Sequence, residues 1–95
     1  MIRIMARLAA RGGCEEKLQA VLVELALASR SEAGCLGYEL FHNQDAACEF
    51  VTVESWTDQA AADGHLATAQ VARAIERAGA LLAQPPLIHR FQQLV

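Results

Sequence analysis

Two stretches of alternating side chains, separated by a short polar segment, constrain the fold of this chain more than any other feature. In residues 36–42 and again in residues 48–56, the side chains alternate with the period of two that marks a β-strand. Between the two stretches, Asn43-Gln44-Asp45 supplies residues that favour a turn. The segment from Gly34 to Trp56 therefore predicts a β-hairpin, and the rest of the chain flanks it.

The second strand of this hairpin has a composition that indicates a functional face. Phe50, Glu54 and Trp56, the only tryptophan, fall on one side, whereas Val51 and Val53 fall on the other. A strand that is apolar on both sides needs cover on both sides. A carboxylate beside the lone indole is unusual at a purely structural core position. We therefore expect the functional site on the face that carries Glu54 and Trp56.

The flanking segments complete an α+β order of elements. Residues 2–8 alternate like a strand, and residues 15–32 carry apolar side chains at helical spacing after two glutamates in the first turn. After the hairpin, Thr57 and Thr68 are candidate caps of two further helices, and residues 87–95 follow a proline pair as a last strand. This order predicts one domain over residues 1–95 with a ferredoxin-like split βαβ fold, in which a four-stranded antiparallel sheet carries its helices on one face.

Size, charge and cysteine content narrow the class of protein. The chain has 95 residues, 54% of them apolar, so its own core is small and a second copy is the simplest cover for the open face of the sheet. A net charge of -3 without a basic run argues against nucleic acid, and no segment approaches membrane-spanning length. The three cysteines lack the spacing of a metal or redox site. We interpret them as reduced thiols of a cytoplasmic homodimer that has no metal site.

Three features together resemble the antibiotic biosynthesis monooxygenase domain: the run Gly34-Cys35-Leu36-Gly37-Tyr38, the pair Glu54-x-Trp56, and His65 about one short helix later. The resemblance covers nearly the whole chain. It implies a dimeric α/β barrel with a pocket between the sheet and the helices. It also implies oxidation of an electron-rich aromatic compound, such as a hydroquinone or polyphenol, by molecular oxygen without a metal, flavin or other cofactor.

Two alternatives to this function stay open at the level of the sequence. The same superfamily includes haem-degrading monooxygenases, whose site combines a first-strand asparagine with a tryptophan and a histidine. Trp56 and His65 are similar to the latter two, but the first-strand position corresponds to Ala6, and no asparagine precedes Asn43. The other alternative is a dimer that binds small molecules without chemistry, which tight packing around Trp56 in place of a cavity would favour.

Oxidation without a cofactor requires a group that removes a phenolic proton in a dry site. His65 is the first candidate for this base, because neutral imidazole accepts protons near neutral pH. Its alternative role is that of a helix-end histidine bonded to a backbone carbonyl. Glu54 can orient His65 or accept a substrate hydroxyl, or it can form an ion pair with Arg3 or Arg7 across the sheet.

Three aromatic residues are candidates for substrate binding. Trp56 can form the aromatic wall of a pocket or fill the core as the largest side chain, and these two roles are compatible. Tyr38 can donate its hydroxyl to a substrate oxygen or lie at a subunit interface. Phe50 shares the face of Glu54, so we expect it to contact the substrate as well.

Overall fold

The computed structural model describes all 95 residues and has the predicted order of elements. A single sheet has the strand order β2-β3-β1-β4, and every neighbouring pair is antiparallel. The three helices cover one face of this sheet, so the α+β ferredoxin-like prediction is confirmed. The elements are β1 (Ile2–Ala9), α1 (Glu15–Ser29), β2 (Cys35–His42), β3 (Glu49–Trp56), α2 (Gln59–Leu66), α3 (Ala69–Gly79) and β4 (Leu87–Phe91).

The ends of several elements differ from the sequence-based expectation. Helix α1 ends at Ser29, so Glu32 lies in the loop that follows it instead of in its last turn. Asp58, and not Thr57, caps α2 by accepting a hydrogen bond from a backbone amide, whereas Thr68 caps α3 as expected. Strand β4 ends at Phe91, four residues before the end of the chain. The early end of α1 matters most, because it frees Glu32 to turn back toward the sheet.

A β-bulge interrupts the alternation at the start of β2. Cys35 pairs with Trp56 and Gly37 pairs with Ser55, so the register shifts between them and Leu36 is left without a partner. The alternation of residues 36–42 predicts that Leu36 shares the face of Tyr38. This prediction is wrong, because Leu36 is 59% exposed whereas Tyr38 is buried. From Tyr38 onward the expected alternation holds.

The core between sheet and helices consists of two clusters. One surrounds Phe50 and includes Leu18 and Leu22 of α1, and the other surrounds Trp56 and includes Ile4 of β1. Each fully buried side chain of this size contributes about 1.5–3 kcal/mol to folding. Strand β3 supplies the central residue of each cluster, Phe50 and Trp56, because every second residue of this strand faces the helices.

The opposite face of the sheet carries no helix. Val51 and Val53 lie there half-buried, and Phe41, Leu87 and Phe91 on the same face are 45–50% exposed. An exposed apolar face of this kind is typical of an interaction surface. None of the helices is long and apolar enough to cross a membrane.

Candidate functional site

A cavity of about 60 Å³ lies between the sheet and helix α3. Small side chains make room for it, among them Ala6 on β1 and Ala74 on α3. Its lining is mostly apolar, and Ile75 and Ile88, which are 49% and 40% exposed, lie where the cavity meets solvent. Its polar groups come from the buried face of the hairpin and from α2, namely Tyr38, Thr52, Glu54 and His65.

His65 is the centre of this polar cluster. Its side chain is buried, its Nδ1 atom lies 2.9 Å from Oε2 of Glu32, and its Nε2 atom lies 3.5 Å from Oε1 of Glu54. The ring also stacks on Trp56, with centroids 4.4 Å apart and planes inclined by 26°. Both nitrogens of His65 therefore face carboxylates, and the expectation that a backbone carbonyl satisfies this histidine is wrong.

Glu54 lies at the inner end of the cluster, where it is 3% exposed. The Thr52 hydroxyl donates to its Oε2 atom at 2.8 Å, and the Trp56 indole N–H donates to its Oε1 atom at 3.2 Å. Burial raises the pKa of the Glu54 carboxyl, although these hydrogen bonds and His65 act in the opposite direction. A buried carboxyl with a raised pKa, next to a histidine and a cavity, is typical of an acid–base site.

Neither arginine of β1 pairs with Glu54. Arg3 and Arg7 lie opposite Ser55 and Val51, which places them on the uncovered face of the sheet. Arg7 instead donates to Glu49 at 2.9 Å. The sequence-based alternative of an ion pair with Glu54 is therefore wrong, because a period of two puts these side chains on opposite faces.

Tyr38 lies on the helix-covered face, next to the cavity. It is 3% exposed, and its ring meets the His65 ring edge-on with centroids 5.7 Å apart. The alternative that placed it on a subunit interface does not fit this buried position. Burial raises the pKa of the Tyr38 hydroxyl, and the negative charges of Glu54 and Glu32 raise it further. Tyr38 thus keeps its proton near neutral pH and can donate a hydrogen bond into the cavity.

The other two aromatic candidates do not line the cavity. Trp56 is fully buried behind the ring of His65, so it supports the site without forming its wall. Phe50 lies farther along β3, in the other core cluster, where it stacks on His42 with ring centroids 4.6 Å apart. The structure thus brings Glu54, Trp56, Tyr38 and His65 together and leaves Phe50 apart from them.

Two residues of the site were not found from the sequence. Glu32 approaches His65 from the loop after α1, and the Gln70 side-chain amide donates to the same Glu32 oxygen at 2.7 Å. The loop is fixed by Gly34, which has a φ of +85° and packs so closely on α2 that a Cβ atom would lie 2.6 Å from Cβ of Ala61. A carboxylate two residues before a helix-terminating glycine is the one local signal that could have indicated this position.

Two features of the donor set concern the metal and haem alternatives. No group of three or more histidine, cysteine, aspartate and glutamate side chains is arranged to hold a metal ion. At the position where the haem-degrading enzymes carry an asparagine, Ala6 presents only a methyl group to the cavity. Burial raises the pKa of both Cys35 and Cys48, which keeps these free thiols protonated.

Comparison with solved structures shows the same fold over the full length of the chain. A crystal structure of an antibiotic biosynthesis monooxygenase superposes with a TM-score of 0.92, 27% sequence identity and complete coverage of both chains. The protein PA3566 from Pseudomonas aeruginosa superposes with a TM-score of 0.90 and 32% identity, over 99% of this chain and 94% of that one.

Comparison of sequences identifies the family. The uncharacterized protein sll1783 of Synechocystis sp. is 35% identical over 57 residues, which are 60% of this chain and 39% of that protein. The chain therefore spans well under half the length of this curated relative. The family model described as antibiotic biosynthesis monooxygenase matches residues 1–77, which is most of the chain. This protein belongs to the antibiotic biosynthesis monooxygenase family.

Proposed function

We propose that this protein is a cofactor-independent monooxygenase that oxidises a small electron-rich aromatic compound, such as a hydroquinone or polyphenol, with molecular oxygen. One observation carries the proposal: a mostly apolar cavity has Tyr38, Glu54 and His65 among its four polar lining residues, the fourth being Thr52. Apolar walls suit an aromatic ring, and the polar groups suit its hydroxyl. Membership of the family supports the reaction class.

In the proposed reaction the substrate supplies all the electrons. A hydroquinone and one molecule of oxygen give a hydroxyquinone and one molecule of water, so one oxygen atom enters the ring and the other is reduced. The phenolic O–H bond breaks first, because the phenolate gives an electron to oxygen more readily than the phenol does. His65 and Glu54 accept the proton, and the Tyr38 hydroxyl donates a hydrogen bond to the phenolate oxygen.

The size of the cavity limits the substrate. An apolar cavity of about 150 Å³ holds benzene, whereas this one has about 60 Å³. A whole phenolic ring therefore enters only when Ile75 and Ile88 at the mouth of the cavity move aside. Otherwise the ring enters in part, and the rest of it stays between these two side chains. We expect single-ring phenols to be better substrates than fused polycyclic ones.

The proposal includes a homodimer in which the uncovered faces of two sheets meet. Val51, Val53 and Phe41 would form the centre of this contact, and Arg7 and Glu49 its polar part. We place the dimer in the cytoplasm, since its three cysteines are free. A monomeric mass at micromolar concentration would contradict the dimer.

Oxygen uptake tests the proposed reaction. The purified protein is incubated with single-ring hydroquinones and polyphenols in the presence of a metal chelator and without flavin. A reaction without protein measures spontaneous oxidation, and catalase removes the hydrogen peroxide that this oxidation forms. Isotopically labelled oxygen then identifies the proposed reaction, because a monooxygenase transfers one labelled atom to the aromatic product. Saturable phenol binding without label in any product would favour the non-catalytic binding dimer.

A further inference from the structure

One residue of the polar cluster has no role in the chemistry described so far. Glu32 does not line the cavity, yet its Oε2 atom is 2.9 Å from Nδ1 of His65. It does not pair with any lysine or arginine, and its partners are His65 and the amide of Gln70. A carboxylate without a fixed cation can take up and release a proton.

We propose that Glu54, His65 and Glu32 form a proton relay between the cavity and the solvent, with Glu32 as its outer group. This inference rests on the proposed function in that the proton comes from a phenolic substrate. Glu32 does not touch the substrate and acts through His65. The relay makes His65 a carrier of the proton, not its final acceptor.

The geometry supports a continuous path. Glu54 lines the cavity, its Oε1 atom lies 3.5 Å from Nε2 of His65, and Nδ1 on the other side of the ring lies 2.9 Å from Glu32. The inner contact of 3.5 Å is long for a hydrogen bond, so it must shorten for the proton to cross it. Side-chain exposure rises outward, from 4% and 2% for Glu54 and His65 to 18% for Glu32.

Glu54 and Glu32 are the two polar side chains that contact the ring nitrogens of His65. Glu54 faces the ring from β3, Tyr38 from β2 and Glu32 from the loop after α1, while the Trp56 indole covers one flat side. The relay uses the tautomer in which Nδ1 of His65 donates to Glu32. Nε2 then carries no proton, and its lone pair faces Glu54 on the side of the cavity.

The steps balance over one turnover. The phenolic O–H bond breaks, and its proton passes through Glu54 to Nε2 of His65 while Nδ1 gives its own proton to Glu32, which releases it to water. When oxygen is reduced, one proton returns along the same path: Glu32 protonates Nδ1, and Nε2 protonates the oxygen that leaves as water. The second hydrogen of this water comes from the ring carbon that receives the other oxygen atom. The relay moves protons only, and the electrons pass from the substrate to oxygen.

A phenol that does not react with oxygen isolates the first half of this cycle. We would mix the protein with 4-nitrophenol in weak buffer, below the pH at which the free phenol ionises. Stopped-flow absorbance follows the bound phenolate, and a dissolved pH indicator follows the proton that reaches the solvent. In the wild-type protein we expect one proton released per phenolate formed, at the same rate.

The variant Glu32→Gln keeps a side chain of the same shape that cannot carry the proton. We expect proton release to slow by about tenfold or more, and formate or imidazole at rising concentration to restore it, because a small base can replace the lost carboxylate. Glu32→Asp, which keeps the carboxylate, should be intermediate and serves if the first variant is poorly folded. Glu24→Gln is the matched control, since it removes an exposed charge from the neighbouring helix α1.

The outcomes separate the relay from the proposed function. The relay is overturned if Glu32→Gln releases the proton at the wild-type rate. It is also overturned if proton release is slow and added formate or imidazole does not restore its rate. Oxygen uptake by the wild-type protein can still succeed in that case, so the proposed function survives. If the wild-type protein ionises 4-nitrophenol and releases its proton but oxidises no hydroquinone, the proposed function fails and the relay stands. A protein that binds no phenol overturns both.

Discussion

The imidazole of His65 lies on the indole of Trp56, with ring centroids 4.4 Å apart and planes inclined by 26°. The same indole donates its N–H to Glu54 at 3.2 Å. One tryptophan thus fixes both the plane of the candidate base and the carboxylate beside it. Trp56 thus contacts two residues that line the cavity although it does not line the cavity itself.

The first prediction concerns His65→Asn. The asparagine amide can still donate to Glu32 from the position of Nδ1, but no basic nitrogen remains at the position of Nε2. We expect turnover of a hydroquinone to fall by about 100-fold or more, the usual scale for loss of a positioned base. Steady-state oxygen uptake measures this, and the melting temperature is the control. Full activity in a variant that melts much earlier would show that His65 has only a structural role.

The sequence predicted the elements well because their signals are local. Strands β1 and β3 alternate with period two, and α1 and α3 carry apolar residues at helical spacing. The bulge at Leu36 was missed, because one extra residue leaves the pattern on either side of it intact. The error at Leu36 therefore follows from a one-residue register shift that only the pairing with β3 shows.

The site was predicted in part. Glu54, Trp56 and His65 were selected from one strand face and one helix end, and the structure places them in contact. Glu32 was missed because its contact with His65 spans 33 residues of sequence and depends on where α1 ends. Phe50 was assigned to the site because it shares the buried face of β3 with Glu54, but it does not line the cavity. A strand pattern shows which face is buried and does not show at which point along that face a cavity lies.

The second prediction tests whether the cavity is the binding site. Ala74→Leu adds three carbon atoms to the wall of a space of about 60 Å³, so we expect phenol binding and oxygen uptake to fall by about tenfold or more. Overpacking also costs about 1–3 kcal/mol of stability. Ala72→Leu is the matched control, because Ala72 lies exposed on the same helix. Unchanged phenol affinity in Ala74→Leu would place the binding site elsewhere.

The third prediction concerns the uncovered face of the sheet. Val53→Asp places a carboxylate opposite Met5 and beside Glu39, and the nearest cations on this face, Arg3 and Arg7, lie only diagonally across on β1. Burying this charge between two sheets costs several kcal/mol, so we expect the dimer dissociation constant to rise by about 100-fold or more. Sedimentation velocity at micromolar concentration measures this. Val23→Asp on α1, outside this face, is the control, and an unchanged dimer in Val53→Asp would exclude this face as the interface.

The last prediction links Glu54 to the pH dependence of stability. Burial raises the pKa of this carboxyl above its ordinary value of 4.5, so the folded protein holds the proton more tightly than the unfolded chain does. The tighter proton binding by Glu54 therefore adds to the free energy of unfolding. This addition is fully present below pH 4.5 and is lost as the pH rises through the pKa of Glu54 in the folded protein. Within that window the loss is about 1.4 kcal/mol per pH unit.

Glu54→Gln removes this dependence and keeps the contacts. The amide oxygen can accept from the Trp56 indole, and the amide NH₂ group can donate to the Thr52 hydroxyl, which both donates and accepts. We expect urea unfolding to show that the variant gains stability relative to the wild type as the pH rises above about 4.5, until the pH has passed the raised pKa of Glu54 in the folded protein. Titrating groups that do not touch Glu54 are common to both proteins and cancel in this difference to first order, and the same comparison in a His65→Asn background removes the titrating group that does touch it. A difference that is independent of pH, or that shrinks as the pH rises, would mean that Glu54 is ionised in the folded protein as readily as in the unfolded chain.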